Sequence, residues 1–190
     1  MLQAGIQYYQ YRPMTLRNIY PRWGFGLSLQ TASAPWTKEA FGSELYLMAY
    51  GYLPGISENQ GIRLKAAAQQ QWTEGKRFYL SNLAAWPRGY ESQASQMYYS
   101  VSIDYAIPVW LGDKSWGDLF YFKRLQMIPF ADWAQNRNHR GTEWLFSAGA
   151  DLLLQFHLLK IGSLMSAGVR SVVTKEGAPT FQMLFDLTFP

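Results

Sequence analysis

Residues 98–108, YYSVSIDYAIP, decide the fold class because apolar and polar side chains alternate along the whole stretch. Every second residue from Tyr99 to Ile107 is apolar, whereas the positions between them, from Ser100 to Ala106, are polar or small. A repeat of two residues places successive side chains on opposite faces of a β-strand. The stretch therefore predicts a strand with one apolar face and one polar face.

The same alternation recurs along the rest of the chain, for example in RWGFGLSLQ (22–30), EWLFSAGADLLLQF (143–156) and TFQMLFDLTF (180–189). Turn-forming residues separate these segments, and no linker or internal repeat divides the chain. We expect one all-β domain over residues 1–190, with antiparallel strands in up-and-down order. The nine predicted strands lie near residues 4–11, 22–31, 43–53, 61–84, 97–107, 117–133, 143–156, 161–173 and 179–189.

Composition narrows the class of protein. Aromatic residues make up 17% of the chain and charged residues only 16%, against about 25% charged residues in soluble proteins. The sequence has no apolar run long enough for a transmembrane helix. A soluble β-sandwich and a membrane β-barrel both produce the alternation. Strand length and aromatic content favour an antiparallel up-and-down transmembrane β-barrel, with the apolar face toward lipid and the polar face toward a wet lumen.

The sequence argues against several classes of function. The chain has no cysteine, and its net charge of +4 is spread out, which argues against a thiolate site and a nucleic-acid surface. His139 and His157 are predicted at opposite ends of the strands, so neither a metal site nor a cofactor is expected. Nothing orders Ser147 and Asp151 with a histidine, and we expect no enzyme. The first residues show no signal peptide, so an exported protein would be represented by a mature or truncated piece.

Three motifs carry a resemblance to a known family. PRGY at 87–90 resembles the Arg-Gly-Phe/Tyr motif at the tip of the sixth loop of BamA/TamA-type and two-partner-secretion barrels. SIDYAIP at 102–108 is similar to the acidic-Tyr-x-x-Pro ending of the next strand in that family. IPFADWA at 128–134 is similar to Phe-x-Asp-x-Gly, with Ala134 where glycine is usual. NIYPRWGFGLSL and YLPG also resemble envelope barrels of Bacteroidetes.

The resemblance implies that the chain is the C-terminal part of a sixteen-stranded barrel and contributes about nine of its strands. It also implies a loop that folds into the lumen through Arg88, Gly89 and Tyr90 and contacts an acid on the barrel wall. Asp104 and Asp132 both fall on the polar faces of their predicted strands, where a guanidinium could bind either one with two parallel hydrogen bonds. We expect Asp132 as the partner of Arg88, with Asp104 as an alternative or second partner. The simpler interpretation is that Arg88 is a solvated loop residue.

The last predicted strand resembles the C-terminal signature of outer-membrane barrels. Phe185, Leu187 and Phe189 continue its apolar face, although Pro190 follows the terminal phenylalanine. The family would place the chain in the bacterial outer membrane, in contact with lipid, with a role in protein insertion or translocation. Its other partners would be the remaining strands, from upstream or another chain, client outer-membrane proteins and periplasmic accessory domains. A pore, transporter or anchor barrel and a soluble β-sandwich binding module remain the alternatives.

Overall fold

A computed structural model describes residues 2–15, 17–34, 36, 42–73, 80–117, 119–139, 141–158 and 164–188, except for the side chains of Asp113 and Thr188. Nine β-strands run through these residues. They are β1 (Leu2–Tyr11), β2 (Gly24–Ser33), β3 (Ser43–Pro54), β4 (Gly61–Trp72), β5 (Met97–Trp116), β6 (Phe120–Asn138), β7 (Gly141–Leu158), β8 (Leu164–Thr174) and β9 (Pro179–Thr188).

The strands form one antiparallel sheet in which each strand pairs with the next along the chain. This order confirms the expected all-β, up-and-down architecture. Strand β1 pairs only with β2 and β9 only with β8 among the described residues, so the sheet is open at both edges. No described segment forms a helix that is long and apolar enough to cross a membrane.

Three predicted strand bounds were wrong. β4 ends at Trp72 rather than near residue 84, and residues 80–96 form an irregular loop. β5 continues to Trp116 through a segment that we expected to be a connection because it contains proline and glycine. Register shifts between Pro108 and Trp110, and again further along β5, let the strand accommodate them. β6 likewise continues to Asn138, because alternate residues of its polar end lie buried on the sheet.

The two faces of the sheet differ in an unusual way. The face that carries Asp104 and Asp132, here called the polar face, is buried around these residues, and Asn136 on it has no exposed surface. The opposite face, here called the apolar face, is exposed along its length. Its exposed side chains include Phe25, Leu27, Leu29, Leu45, Leu47, Val101, Ile103, Trp133, Trp144, Phe146 and Leu152.

Two connections fold back over the polar face and bury it. One is the loop of residues 80–96, here called the β4–β5 loop. The other is the β1–β2 connection, residues 12–23, which lies at the opposite end of the strands because consecutive strands alternate in direction. Asn18 of this connection is buried, and its carbonyl accepts a hydrogen bond of 3.0 Å from Arg124 Nη1 on β6. The guanidinium of Arg63 on β4 lies 4.9 Å from the ring centre of Tyr20.

Close packing of β6, β7 and β8 depends on Gly149. A Cβ atom there would lie 2.0 Å from the carbonyl oxygen of Ser171 and 2.9 Å from Cζ of Phe130. At Gly51 on β3, the nearest atom to such a Cβ is the Gly24 carbonyl oxygen at 3.8 Å. The two glycines therefore offer the same substitution in one crowded and one open position.

We predict that Gly149→Ala lowers the free energy of unfolding by about 1–3 kcal/mol, the usual cost of overpacking. Gly51→Ala has room for the methyl group and should change the free energy of unfolding by less than about 1 kcal/mol. Denaturant titration followed by tryptophan fluorescence measures both variants. Equal effects of the two substitutions would contradict the packing described for β7.

Candidate functional site

The tip of the β4–β5 loop is a tight turn at residues 87–90. The Tyr90 N–H donates to the Pro87 carbonyl at 3.2 Å, which closes the turn. Gly89, at the third position, has φ = 88°. A type II turn requires positive φ at this position, where glycine is strongly preferred. The turn presents the side chains of Arg88 and Tyr90 to the sheet.

Arg88 binds two carboxylates on adjacent strands. Its Nε and Nη2 donate to Oδ2 and Oδ1 of Asp132 at 2.8 and 2.6 Å, a bidentate pair. The Arg88 backbone N–H adds a third hydrogen bond to the same carboxylate at 3.0 Å. Nη1 lies 2.7 Å from Oδ1 of Asp104, which makes a second ion pair. Arg88 thus contacts both acids that the sequence singled out.

The register of β4, β5 and β6 explains why a cation is needed here. Ser102 pairs with Asp132 and Asp104 with Phe130, so the two aspartates are diagonal neighbours on the polar face. Their exposed fractions are 1% for Asp104 and 5% for Asp132. Buried carboxylates require cationic partners and hydrogen bonds. Arg63, opposite Asp104 on β4, donates to its Oδ2 through Nε at 2.8 Å.

Burial alone would lower the pKa of the Arg88 guanidinium, but the hydrogen bonds to Asp132 and the charge of Asp104 outweigh it and raise that pKa. Arg88 therefore stays charged at any physiological pH. Burial also raises the pKa of Tyr20 to about 12, so this phenol in the β1–β2 connection remains neutral.

Gly89 and Tyr90 extend the contacts to β7 and β8. A Cβ on Gly89 would lie 3.0 Å from Cγ2 of Thr174 and 3.2 Å from the γ carbons of Val172, so only glycine lets the turn approach β8 this closely. The Tyr90 hydroxyl donates to the Phe146 carbonyl at 3.0 Å and accepts from the Lys175 N–H at 3.1 Å. Arg-Gly-Tyr therefore joins the loop tip to four consecutive strands.

The part of the loop before the tip is held by side chains of β4 and β5 and by Glu44 of β3, whose Oε1 accepts from the Leu83 N–H at 3.4 Å. The Ala84 N–H donates to Gln69 Oε1 at 2.8 Å, and Gln71 Nε2 donates to the Leu80 carbonyl at 3.1 Å. Tyr98 donates to the Ala85 carbonyl at 3.1 Å and stacks on Trp86 with ring centres 5.2 Å apart. These contacts satisfy backbone groups that the irregular loop would otherwise bury without partners.

A second ion pair lies beside the first. Arg170 on β8 donates through Nε and Nη2 to Oδ1 and Oδ2 of Asp151 on β7, at 2.7 and 2.8 Å. Between the two pairs, Cζ of Arg88 lies 3.5 Å and Cζ of Arg170 lies 5.7 Å from the ring centre of Phe130. Both guanidiniums are thus within the range of cation–π attraction to one ring.

A cavity of about 260 Å³ lies next to these ion pairs. Its charged lining residues are Arg63, Lys65, Arg88, Asp104, Asp132 and Arg170. Within the described ranges, no three His, Cys, Asp or Glu side chains are grouped to hold a metal ion. The chemistry of the site is charge pairing and hydrogen bonding, which can hold a loop against the polar face of the sheet.

The remaining predicted residues lie elsewhere. Phe185 and Leu187 are exposed on the edge strand β9, away from the loop, and Phe189 lies outside the described residues. Sequence reasoning missed the roles of Arg63, Arg170 and Asp151. Arg63 and Arg170 stand at polar-face positions of their strands, which is a weak signal, because a solvated residue would show the same spacing.

Comparison of the chain with models of known families, with curated proteins and with solved structures found no match.

We predict strong coupling between Arg88→Ala and Asp132→Asn in a double-mutant cycle. Either change alone disrupts the same buried pair, so the effects on the free energy of unfolding should be non-additive by about 0.5–3 kcal/mol. Arg137 is exposed on the same strand, β6, and provides the control. Arg137→Ala and Asp132→Asn should be additive. Additivity in both cycles would show that Arg88 does not attach the loop to Asp132.

Gly89→Ala and Gly177→Ala separate backbone strain from close packing. Both glycines have positive φ, 88° and 89°, but a Cβ on Gly177 meets nothing within 4 Å. Each alanine should cost about 1 kcal/mol for the left-handed backbone. Only Gly89→Ala should also increase protease cleavage in residues 80–96, because it pushes the turn away from β8. Equal cleavage in the two variants would contradict the contact.

Proposed function

We propose that this chain forms nine strands of a bacterial outer-membrane β-barrel of the protein insertion or translocation type. Its apolar face contacts lipid and its polar face lines the lumen. The β4–β5 loop lies inside the lumen, where Arg88 attaches it to the wall. The remaining strands of the barrel come from residues outside this chain.

The sidedness of the sheet is the observation that carries the membrane part of the proposal. Leu, Val, Phe and Trp side chains are exposed along one face, while Asp104, Asp132 and Asn136 are buried on the other. A soluble β-sandwich buries its apolar faces and exposes its polar ones. A transmembrane barrel has the reverse arrangement, with strands long enough to cross a bilayer at a tilt. The strands of 10–20 residues meet that requirement.

The attached loop supports the insertion or translocation type. Arg88, Gly89 and Tyr90 follow the motif of the BamA/TamA-type family, and Asp132 stands where that motif's partner is expected. The open edges of β1 and β9 offer unpaired backbone groups that another strand could join by augmentation. Unpaired backbone groups are costly in hydrocarbon, so each edge must pair with another strand, either permanently or transiently. This mechanism makes and breaks no covalent bond.

Single cysteines test the membrane part cleanly because the chain contains none. Val101 lies on the apolar face, and Ser102 follows it on the polar face. We predict that brominated lipids strongly quench a fluorophore on Val101→Cys and only weakly quench one on Ser102→Cys. Equal quenching, or a protein that stays dispersed without detergent, would favour the soluble β-sandwich.

The insertion role is tested separately, in vesicles that contain the complete barrel. We predict that these vesicles accelerate the folding of an unfolded outer-membrane barrel and that Arg88→Ala removes most of this acceleration. The control Arg137→Ala should retain it. If the quenching pattern holds without any acceleration, the chain belongs to a pore, transporter or anchor barrel instead, and conductance across planar bilayers would identify the pore.

A further inference from the structure

A second cavity, of about 360 Å³, lies at the end of the strands where the β1–β2 connection folds inward. Four segments that are distant in sequence line it: the β1–β2 connection, β5, β6 and β7. The lining residues are Arg17, Leu111, Gly112, Tyr121, Lys123, Arg124 and His157. None of them belongs to the Arg88 site.

The charged residues among the described lining of this cavity are all cations. Arg17, Lys123 and Arg124 contribute three cations, and none of the described lining residues is a carboxylate. Asp113 follows Gly112 in the chain, but its side chain lies outside the described residues. The Arg88 cavity, in contrast, pairs its cations with Asp104 and Asp132. Cations grouped in a partly dehydrated space are costly unless an anion compensates them.

Two irregularities of the sheet shape the cavity. β5 shifts register between Leu111 and Lys114, and β6 shifts between Phe122 and Arg124, so Lys123 is the extra residue of a bulge. Bulges redirect side chains and are over-represented next to functional sites. Gly112 lies too close to a neighbouring side chain for another residue, because a Cβ there would lie 2.7 Å from the Trp110 ring.

Arg124 is held in place before any ligand arrives. Its Nε donates to Gln155 Oε1, and its Nη1 donates to the carbonyls of Asn18 and Arg17 at 3.0 and 3.5 Å. Only 8% of Arg124 is exposed. Its Nη2 has no hydrogen-bond acceptor within the described part of the chain. A fixed guanidinium with unused donors loses little entropy when it binds an anion.

We infer that this cavity binds a phosphate group, with Arg124, Lys123 and Arg17 as its cationic ligands. Three cations that line one cavity match the charge and the several acceptor oxygens of a phosphate better than those of a monovalent anion. The phosphate belongs either to a phospholipid headgroup or to a small soluble phosphate. The inference does not depend on the proposed insertion role.

Inorganic phosphate is the first probe. It is titrated against the full chain at constant ionic strength, with chloride as the replacement ion, and the unfolding temperature is measured. Phosphate should raise this temperature beyond the chloride control. Lys123→Gln and Arg17→Gln should each weaken the apparent affinity about tenfold, the loss expected for one charge-assisted hydrogen bond.

Two further variants control for misfolding and for nonspecific electrostatic effects. Lys123→Arg keeps the charge and should keep the phosphate effect. Arg137→Gln removes an exposed cation at the other end of β6 and should also keep it. The inference is overturned if phosphate acts no differently from chloride, or if Lys123→Gln and Arg17→Gln bind phosphate as well as the wild type does.

A competition experiment distinguishes the two sources of phosphate. Phosphatidylglycerol is added to the detergent micelles while inorganic phosphate is titrated. If the site takes a lipid headgroup, the lipid displaces inorganic phosphate from the wild type, and Lys123→Gln abolishes this displacement. If the ligand is a soluble phosphate, inorganic phosphate binds equally well with and without the lipid. Each of these results supports a phosphate site.

Discussion

The ion pair between Arg88 and Asp132 is the interaction on which the rest of the site depends. The fold places Asp104 and Asp132 diagonally on adjacent strands and buries both under a loop. Two buried carboxylates at this spacing are stable only with cations that reach both. Arg63 comes from the sheet itself and binds Asp104, but the bidentate partner of Asp132 comes from the loop. Loss of Arg88 would leave a buried carboxylate with one partner fewer, so the loop and the sheet stabilise each other.

The sidedness of the sheet follows from the same arrangement. Buried polar residues on the polar face are stable only where they have hydrogen-bond partners. The β4–β5 loop and the β1–β2 connection supply these partners. The loop brings backbone groups to Gln69, Gln71 and Tyr98, whose side chains would otherwise lack these partners. The apolar face receives no such cover from the described residues. Exposed apolar area of this extent is uncommon in monomeric soluble proteins and indicates a membrane or protein contact.

Local alternation was enough to predict nine antiparallel strands, and it placed Asp104 and Asp132 on the same face as each other. It failed where polar residues continue a strand, as at the end of β6, and where a bulge accommodates Pro108 within β5. The loop contacts of Glu44, Gln69 and Gln71 had no local signal either. A glutamine at a polar-face position has the same spacing whether it meets water or a folded-back loop. Such contacts depend on the path of a distant segment, which alternation does not encode.

The β4–β5 loop and the β1–β2 connection are held to the sheet by different interactions. At the β4–β5 end, the arginine belongs to the loop and its partners are wall carboxylates. At the β1–β2 end, Arg124 belongs to β6 of the sheet and donates to the neutral carbonyls of Asn18 and Arg17. Among the described residues, attraction between opposite full charges adds to hydrogen bonding at the β4–β5 end but not at the β1–β2 end. The β1–β2 connection is held by the hydrogen bonds from Arg124 and by the contact of Arg63 with the Tyr20 ring. It is also the segment that carries Arg17, so a phosphate bound between Arg17, Lys123 and Arg124 would attach it to the sheet through a full negative charge.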